Sequence, residues 1–127
     1  MWKLSLAAVA VGLMSVTANA QDLAAGEKVF KKCKACHAVG EGAKNKVGPQ
    51  LNGIIGAEAA KVEGFKYSKA MMKSGLVWDE ATLTEYLVKP RDLVKGTKMA
   101  FAGLKKEEDI TNIIAYLGSF AADGTQQ

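Results

Sequence analysis

"KKCKACHAVG", residues 31–40, is the stretch on which the reading of this chain turns. Cys33 and Cys36 stand two residues apart, a spacing shared by dithiol redox pairs, halves of zinc sites and short structural disulfides. His37 follows directly and is the single histidine of the chain. It completes C-x-x-C-H, the spacing at which two thiols add to the vinyl groups of a haem while the adjacent imidazole takes an axial position on the iron.

The choice among these readings depends on where the chain works. Its 127 residues amount to one domain, and 49% hydrophobic with 24% charged residues is the composition of a globular protein, not a disordered one. Lys3 gives a short basic start, Leu4 to Val16 is mostly apolar, and "ANA" at 18–20 is a small-x-small cleavage signature before Gln21. Residues 1–20 therefore read as a secretory signal that is cleaved, leaving 21–127 as a single domain. The apolar run is shorter than the ~20 residues that span a bilayer, and no other segment can span one.

Export implies an oxidising compartment, where two cysteines ordinarily pair. A disulfide across C-x-x-C closes so short a loop that it gives the least entropic stabilisation. Zinc needs about four ligands, and beyond Cys33, Cys36 and His37 the chain holds no further cysteine or histidine. A dithiol oxidoreductase carries its motif at the start of a helix that follows a strand, and no alternating β-branched segment precedes Cys33. One covalently bound haem is the reading that remains.

The rest of the chain reads as a small all-α shell. Asp22 is placed as an N-cap, with Leu23, Gly26, Glu27 and Phe30 at helical spacing, so a first helix is predicted from Leu23 into the C-x-x-C-H motif. Ala38 to Ala60 is glycine-rich around Pro49 and predicts a long loop, which needs something to wrap around. Ser68 is expected to cap a short helix over Lys69–Lys73, and Asp79 a longer one over Glu80–Lys89 that Pro90 terminates. Gly96 opens another irregular stretch. From Lys106 to Phe120, the residues Ile110, Ile113, Ile114, Leu117 and Phe120 mark one apolar face, with Glu107, Glu108 and Asp109 favourably placed in the first turn. Residues 121–127 read as a frayed end. No repeat or linker interrupts 21–127, and so short a chain with such long loops has little core of its own, so the cofactor must supply much of it.

A thioether suits the second axial position of a low-spin haem used for electron transfer. Met71 and Met72 lie in the short helical segment, Met99 in the irregular "GTKMAFAG" at 96–103. Methionine also fills gaps in any core, so spacing alone leaves open whether Met99 is a ligand or a packing residue.

Taken in order, Gly26 and Phe30 before "CKACH", "VGPQLNGIIG" at 47–56, "GFKYS" at 64–68, Trp78, "EYLVKP" at 85–90, "GTKMAFAG" at 96–103 and "IAYL" at 114–117 resemble a class I cytochrome c. Within that family the chain is most similar to the soluble bacterial cytochrome c2 proteins, themselves similar to the mitochondrial protein. The resemblance covers nearly all of 21–127. It implies a small cytochrome c fold, helices and long loops wrapped around one haem c, with Cys33 and Cys36 as thioether positions, His37 as proximal ligand and Met99 as distal ligand. It further implies that the Pro49 carbonyl accepts a hydrogen bond from the proximal imidazole, fixing ring orientation and raising ligand basicity. Tyr86 would approach the methionine sulfur, Tyr67 and Trp78 would bond one haem propionate, and Thr97 would lie near the other. Gly26, Phe30, Tyr116 and Leu117 match the contact between first and last helices. Two positions depart from the pattern: Ala57 stands where many relatives place an arginine, and Met71 where mitochondrial relatives have an asparagine.

With both axial positions filled by protein, iron has no open site for substrate, so it changes oxidation state and does little else. That describes an electron carrier, not an enzyme; a peroxidase needs an open distal position with acid–base groups beside it, and there is no second histidine to supply them. A sensor or a fixed oxidase subunit would bring an extra domain or an anchor. Loss of residues 1–20 removes only Lys3, so the formal charge falls by one from +4. Lys32, Lys46, Arg91, Lys98, Lys105 and Lys106 fall on segments that flank the exposed haem edge in similar proteins, whereas Glu58, Glu63, Glu80 and Glu85 lie elsewhere. Such a ring would steer docking on an acidic redox partner. No aromatic–basic motif points to nucleic acid. The sequence is thus expected to encode a soluble, periplasmic, monomeric, monohaem carrier. It takes electrons from a membrane-bound quinol-oxidising cytochrome complex and delivers them to a terminal oxidase or photosynthetic reaction centre.

Overall fold

A computed structural model describes residues 18–127, with side chains from Leu23 onward. The expected signal at 1–20 lies almost wholly outside the described residues. Five helices follow one another: α1 (Ala18–Phe30), α2 (Lys69–Lys73), α3 (Glu80–Val88), α4 (Pro90–Leu93) and α5 (Glu107–Gly118). Extended pairing among the described residues is limited to isolated bridges, Glu58 with Val77 and Phe120 with Gln126. The architecture is all-α.

Burial explains where the helices sit. Ile110, Ile113, Ile114 and Leu117 are buried on one face of α5, as their spacing predicts, and Ile113 is among the most deeply enclosed side chains. That face receives α1 in the most extensive helix–helix contact of the structure. Gly26 makes the approach possible: a Cβ there would overlap the Asn112 carbonyl and the Tyr116 Cβ. Phe30, Tyr116 and Phe120 then stack in sequence, with centroid separations of 5.5 and 5.2 Å. Helix α3 adds Leu83, Tyr86 and Leu87 to the same core.

Two of the expected caps form. The Ser68 hydroxyl accepts from the Met71 N–H at 3.0 Å, and Asp79 accepts from the Thr82 N–H at 2.8 Å. That bond holds the Asp79 carboxyl below its ordinary range. Five expectations need correction. Helix α1 already runs through Asp22, which is therefore interior and no cap, and the regular helix stops at Phe30 instead of entering the motif. Pro90 ends α3 but also starts α4 at its first turn, because a residue without N–H costs nothing where that N–H has no intrahelical partner. The end of α5 comes at Gly118, two residues before Phe120. Finally, 121–127 is a closed turn, not a frayed end: Ala121 N–H bonds the Thr125 carbonyl at 2.9 Å and Gln127 N–H bonds the Ser119 carbonyl at 2.8 Å.

Gly26→Ala is expected to lower stability by about 1–3 kcal/mol through overpacking, although alanine exceeds glycine in an isolated helix by about 1 kcal/mol. Denaturant unfolding checks it: the midpoint should fall with the slope unchanged.

Candidate functional site

The motif sits on turns that continue from α1. Cys36 N–H and His37 N–H both donate to the Cys33 carbonyl, at 3.1 and 2.9 Å, so the two thiols and the imidazole are carried within one turn of chain. Both cysteines are free thiols and half-buried. Burial raises the Cys33 pKa, the neighbouring Cys36 adds to that, and Lys32 opposes it.

His37 Nδ1 lies 2.7 Å from the Pro49 carbonyl oxygen. A carbonyl can only accept, so Nδ1 carries the proton and Nε2 is left with its lone pair, the tautomer of a metal ligand. Burial lowers the His37 pKa, while the Pro49 bond works in the other direction. Gly48 lies flat against the ring: a Cβ would come within 2.8 Å of Nδ1 and 2.9 Å of Nε2. The sequence reading passed over Gly48; its place directly before Pro49 was the available signal.

Met99 lies in the loop between α4 and α5, half-buried. The Tyr86 hydroxyl points at its sulfur at 3.8 Å and lies 3.5 Å from Thr97 Oγ1, which in turn accepts from the Met99 N–H at 3.3 Å. Burial raises the Tyr86 pKa against the opposing effect of Thr97, so the phenol keeps its proton at neutral pH and remains a donor. The loop is closed at its far end by Gly103, where a Cβ would overlap the Val88 carbonyl, and by Leu104 N–H bonding the Leu87 carbonyl at 2.7 Å. Met72 is 59% exposed and Met71 half-buried, both on α2.

The structure thus brings together His37 with Pro49, and Met99 with Tyr86 and Thr97. Trp78 joins the second group, its ring 4.8 Å from that of Tyr86. Tyr67 is tied to its own loop: its hydroxyl accepts from the Val62 N–H at 3.0 Å and its ring meets Phe65 edge-on at 4.8 Å. A cavity of about 610 Å³ opens beside it, lined by Phe65, Lys66, Tyr67, Lys69, Met72 and Lys98. Lys32, Lys46, Arg91, Lys98, Lys105 and Lys106 are all exposed. The Lys46 ammonium reaches the Lys34 carbonyl inside the motif at 3.3 Å.

Val39, Leu51, Ile55, Ala70, Leu76, Leu93 and Phe101 are apolar side chains only partly buried against the core, as are Cys33 and Met99. Two free thiols, one neutral imidazole with Nε2 uncommitted, one thioether and a set of apolar side chains left partly exposed fit a flat apolar iron macrocycle that is held covalently on one edge.

Comparisons with known proteins agree. The family model described as cytochrome c matches residues 23–121. Cytochrome c2 of Rhodoblastus acidophilus is 56% identical over 107 residues, covering 84% of this chain and 100% of its own. Cytochrome c2 of Blastochloris viridis is 50% identical over 110 residues, 87% of each chain. Among solved structures, cytochrome cH from Methylobacterium extorquens superposes with a TM-score of 0.72 at 47% identity, covering 76% of this chain and 97% of its own.

Gly48→Ala is expected to displace the His37 ring and weaken its bond to Pro49. Proton NMR checks it: exchange of the Nδ1–H should quicken about tenfold or more, matching the loss of roughly 1.4 kcal/mol of hydrogen-bond free energy.

Proposed function

This chain belongs to the cytochrome c family, and from that premise we propose that it is a soluble, exported carrier of single electrons with His37 and Met99 as axial ligands. Haem c is bound covalently, one per chain, through Cys33 and Cys36, and the protein is an electron carrier, not an enzyme. When bound, the haem supplies an iron that cycles between ferric and ferrous. The observation that carries the ligand reading is the pairing of two prepared donors. His37 has Nδ1 committed to Pro49, and Met99 has its sulfur held by Tyr86 on a loop pinned by Gly103.

What the residues do follows from that pairing. The Pro49 carbonyl raises the basicity of the imidazole and fixes its plane. Tyr86 and Thr97 hold Met99 in place, so a change of oxidation state need not be accompanied by loss of a ligand. Trp78 and Tyr67 have N–H and O–H groups suited to one carboxylate of the haem, and Thr97 to the other. Lys66, Lys69 and Lys98 around the cavity beside Tyr67 support placing charge there despite Ala57 and Met71.

The setting is proposed with it. Residues 1–20 are removed on export, and the mature chain works in the periplasm. It takes electrons from a membrane-bound quinol-oxidising cytochrome complex and passes them to an oxidase or a reaction centre. No helix among the described residues is long and apolar enough to cross a membrane. The exposed Lys32, Lys46, Arg91, Lys98, Lys105 and Lys106 support electrostatic docking; Glu58 is proposed to lie outside it, whereas the Glu63 carbonyl accepts from Asn45, the neighbour of Lys46.

Met99→Ala should abolish the sulfur-to-iron charge-transfer absorption of the oxidised protein and admit carbon monoxide to the reduced form. Retention of that band in Met99→Ala, with its loss in Met71→Ala or Met72→Ala, would overturn the assignment. For docking, Lys98→Glu with Lys105→Glu should lower the second-order electron-transfer rate at low salt, and the deficit should shrink as ionic strength passes 0.1 M, where screening acts over roughly 10 Å. Stopped-flow oxidation by the partner complex measures it, with Glu58→Lys as the control expected to change little.

A further inference from the structure

The bond between His37 and Pro49 is not isolated. Gly48 N–H donates to the Cys36 carbonyl at 2.8 Å, His37 Nδ1 to the Pro49 carbonyl at 2.7 Å, and Leu51 N–H to the Ala38 carbonyl at 2.9 Å. Segments 36–40 and 48–52 therefore run side by side as a seam, and the imidazole makes its second rung. Beyond Leu51 a backbone rung cannot continue, because Gly40 and Gly53 both turn in the left-handed region, at φ 103° and 65°.

Asn52 closes the seam with its side chain. Its Nδ2 donates to the Gly40 carbonyl at 2.9 Å, and its Oδ1 accepts from the Gly40 N–H at 2.8 Å. From outside, the C-terminal turn presses on the same residue: a Cβ on Gly124 would overlap the Gly40 carbonyl, and Gly53 N–H bonds the Phe120 carbonyl at 3.1 Å. Pro49 has no N–H of its own to anchor it, so its carbonyl is placed by its neighbours in this seam together with the Gln50 N–H of the same peptide unit, which donates to Asn45 Oδ1 at 2.9 Å.

We propose that Asn52 is a positioning residue for the iron: by clamping Gly40 it holds the two segments in register, and so sets the strength of the hydrogen bond from His37 to Pro49. That bond gives the imidazole part of the character of an imidazolate, a stronger donor that favours the ferric state. Loosening the clamp weakens the donor and raises the midpoint potential. The inference rests on the reading of His37 as axial ligand.

The test compares holoproteins. Asn52→Ala removes both bonds to Gly40, and Asn52→Asp keeps only the acceptor. Ser68→Ala, which removes one comparable side-chain-to-backbone bond at the α2 cap, is the control. Expected are faster exchange of the His37 Nδ1–H in Asn52→Ala and a rise in its potential. The rise should correspond to a two- to tenfold change in the ferric-to-ferrous ratio at fixed poise, tenfold being 59 mV for one electron. Asn52→Asp should fall between Asn52→Ala and the wild type, and it carries the test if Asn52→Ala does not fold. Ser68→Ala should lose stability with no change in either readout. If the Asn52 variants lose stability yet keep the wild-type exchange rate and potential, Asn52 is only a structural clamp and the proposal falls. If the wild-type protein itself lacks the NMR shifts of an iron-bound imidazole, the ligand reading fails first.

Discussion

A single hydrogen bond, from His37 Nδ1 to the Pro49 carbonyl, decides what the only histidine of this chain can do. A neutral imidazole whose Nδ1 is donating has one nitrogen left, and that nitrogen carries a lone pair, not a proton. Everything nearby protects this state. Gly48 leaves room for the ring, Pro49 contributes an acceptor and cannot contribute a competing donor, and burial disfavours the imidazolium. The loop that supplies these residues has almost no regular structure, which is why its backbone is fixed by short bonds to the motif and by the carboxamides of Asn45, Gln50 and Asn52.

Met99 is prepared by different means on a different segment. A thioether makes only weak hydrogen bonds, so its place is set by packing and by where its loop is tied. Gly103 and Leu104 bring the loop hard against the end of α3, and the same helix supplies Tyr86, whose phenol points at the sulfur. One element therefore fixes both the position of the loop and the polarity around its methionine. Met71 and Met72, on the short α2, share neither constraint.

How much of this could be read beforehand depended on whether the cause was local. The apolar spacing of α5, the caps at Ser68 and Asp79 and the loop from Ala38 follow from neighbouring residues, and they stand as expected. C-x-x-C-H named the chemistry, but it could not show that α1 ends at Phe30 and hands the motif to turns. Asp22 looked like a cap because the hydrophobic pattern begins beside it, whereas the helix starts earlier. Pro90 was legible as a stop and not as a start, since a proline satisfies both descriptions. Spacing could not separate Met99 from Met71 and Met72, because what distinguishes it is its contact with Tyr86 and Thr97, which precede it by thirteen and two residues and meet it only in the fold. Gly48 and Asn52 escaped notice for the same reason: each matters through a partner twelve residues or so away.

The closed C-terminal turn has a practical consequence for attaching this protein to a surface. Gln127 is tethered to Ser119, and the turn that precedes it rests on Gly40, beside the His37 segment. A cysteine or linker added after Gln127 would hold the molecule on an electrode by that turn and leave the exposed Lys98 and Lys105 unmodified. Immobilisation through surface lysines would instead consume the exposed charges proposed for docking. The point of attachment therefore decides which surface charges the tethered film keeps.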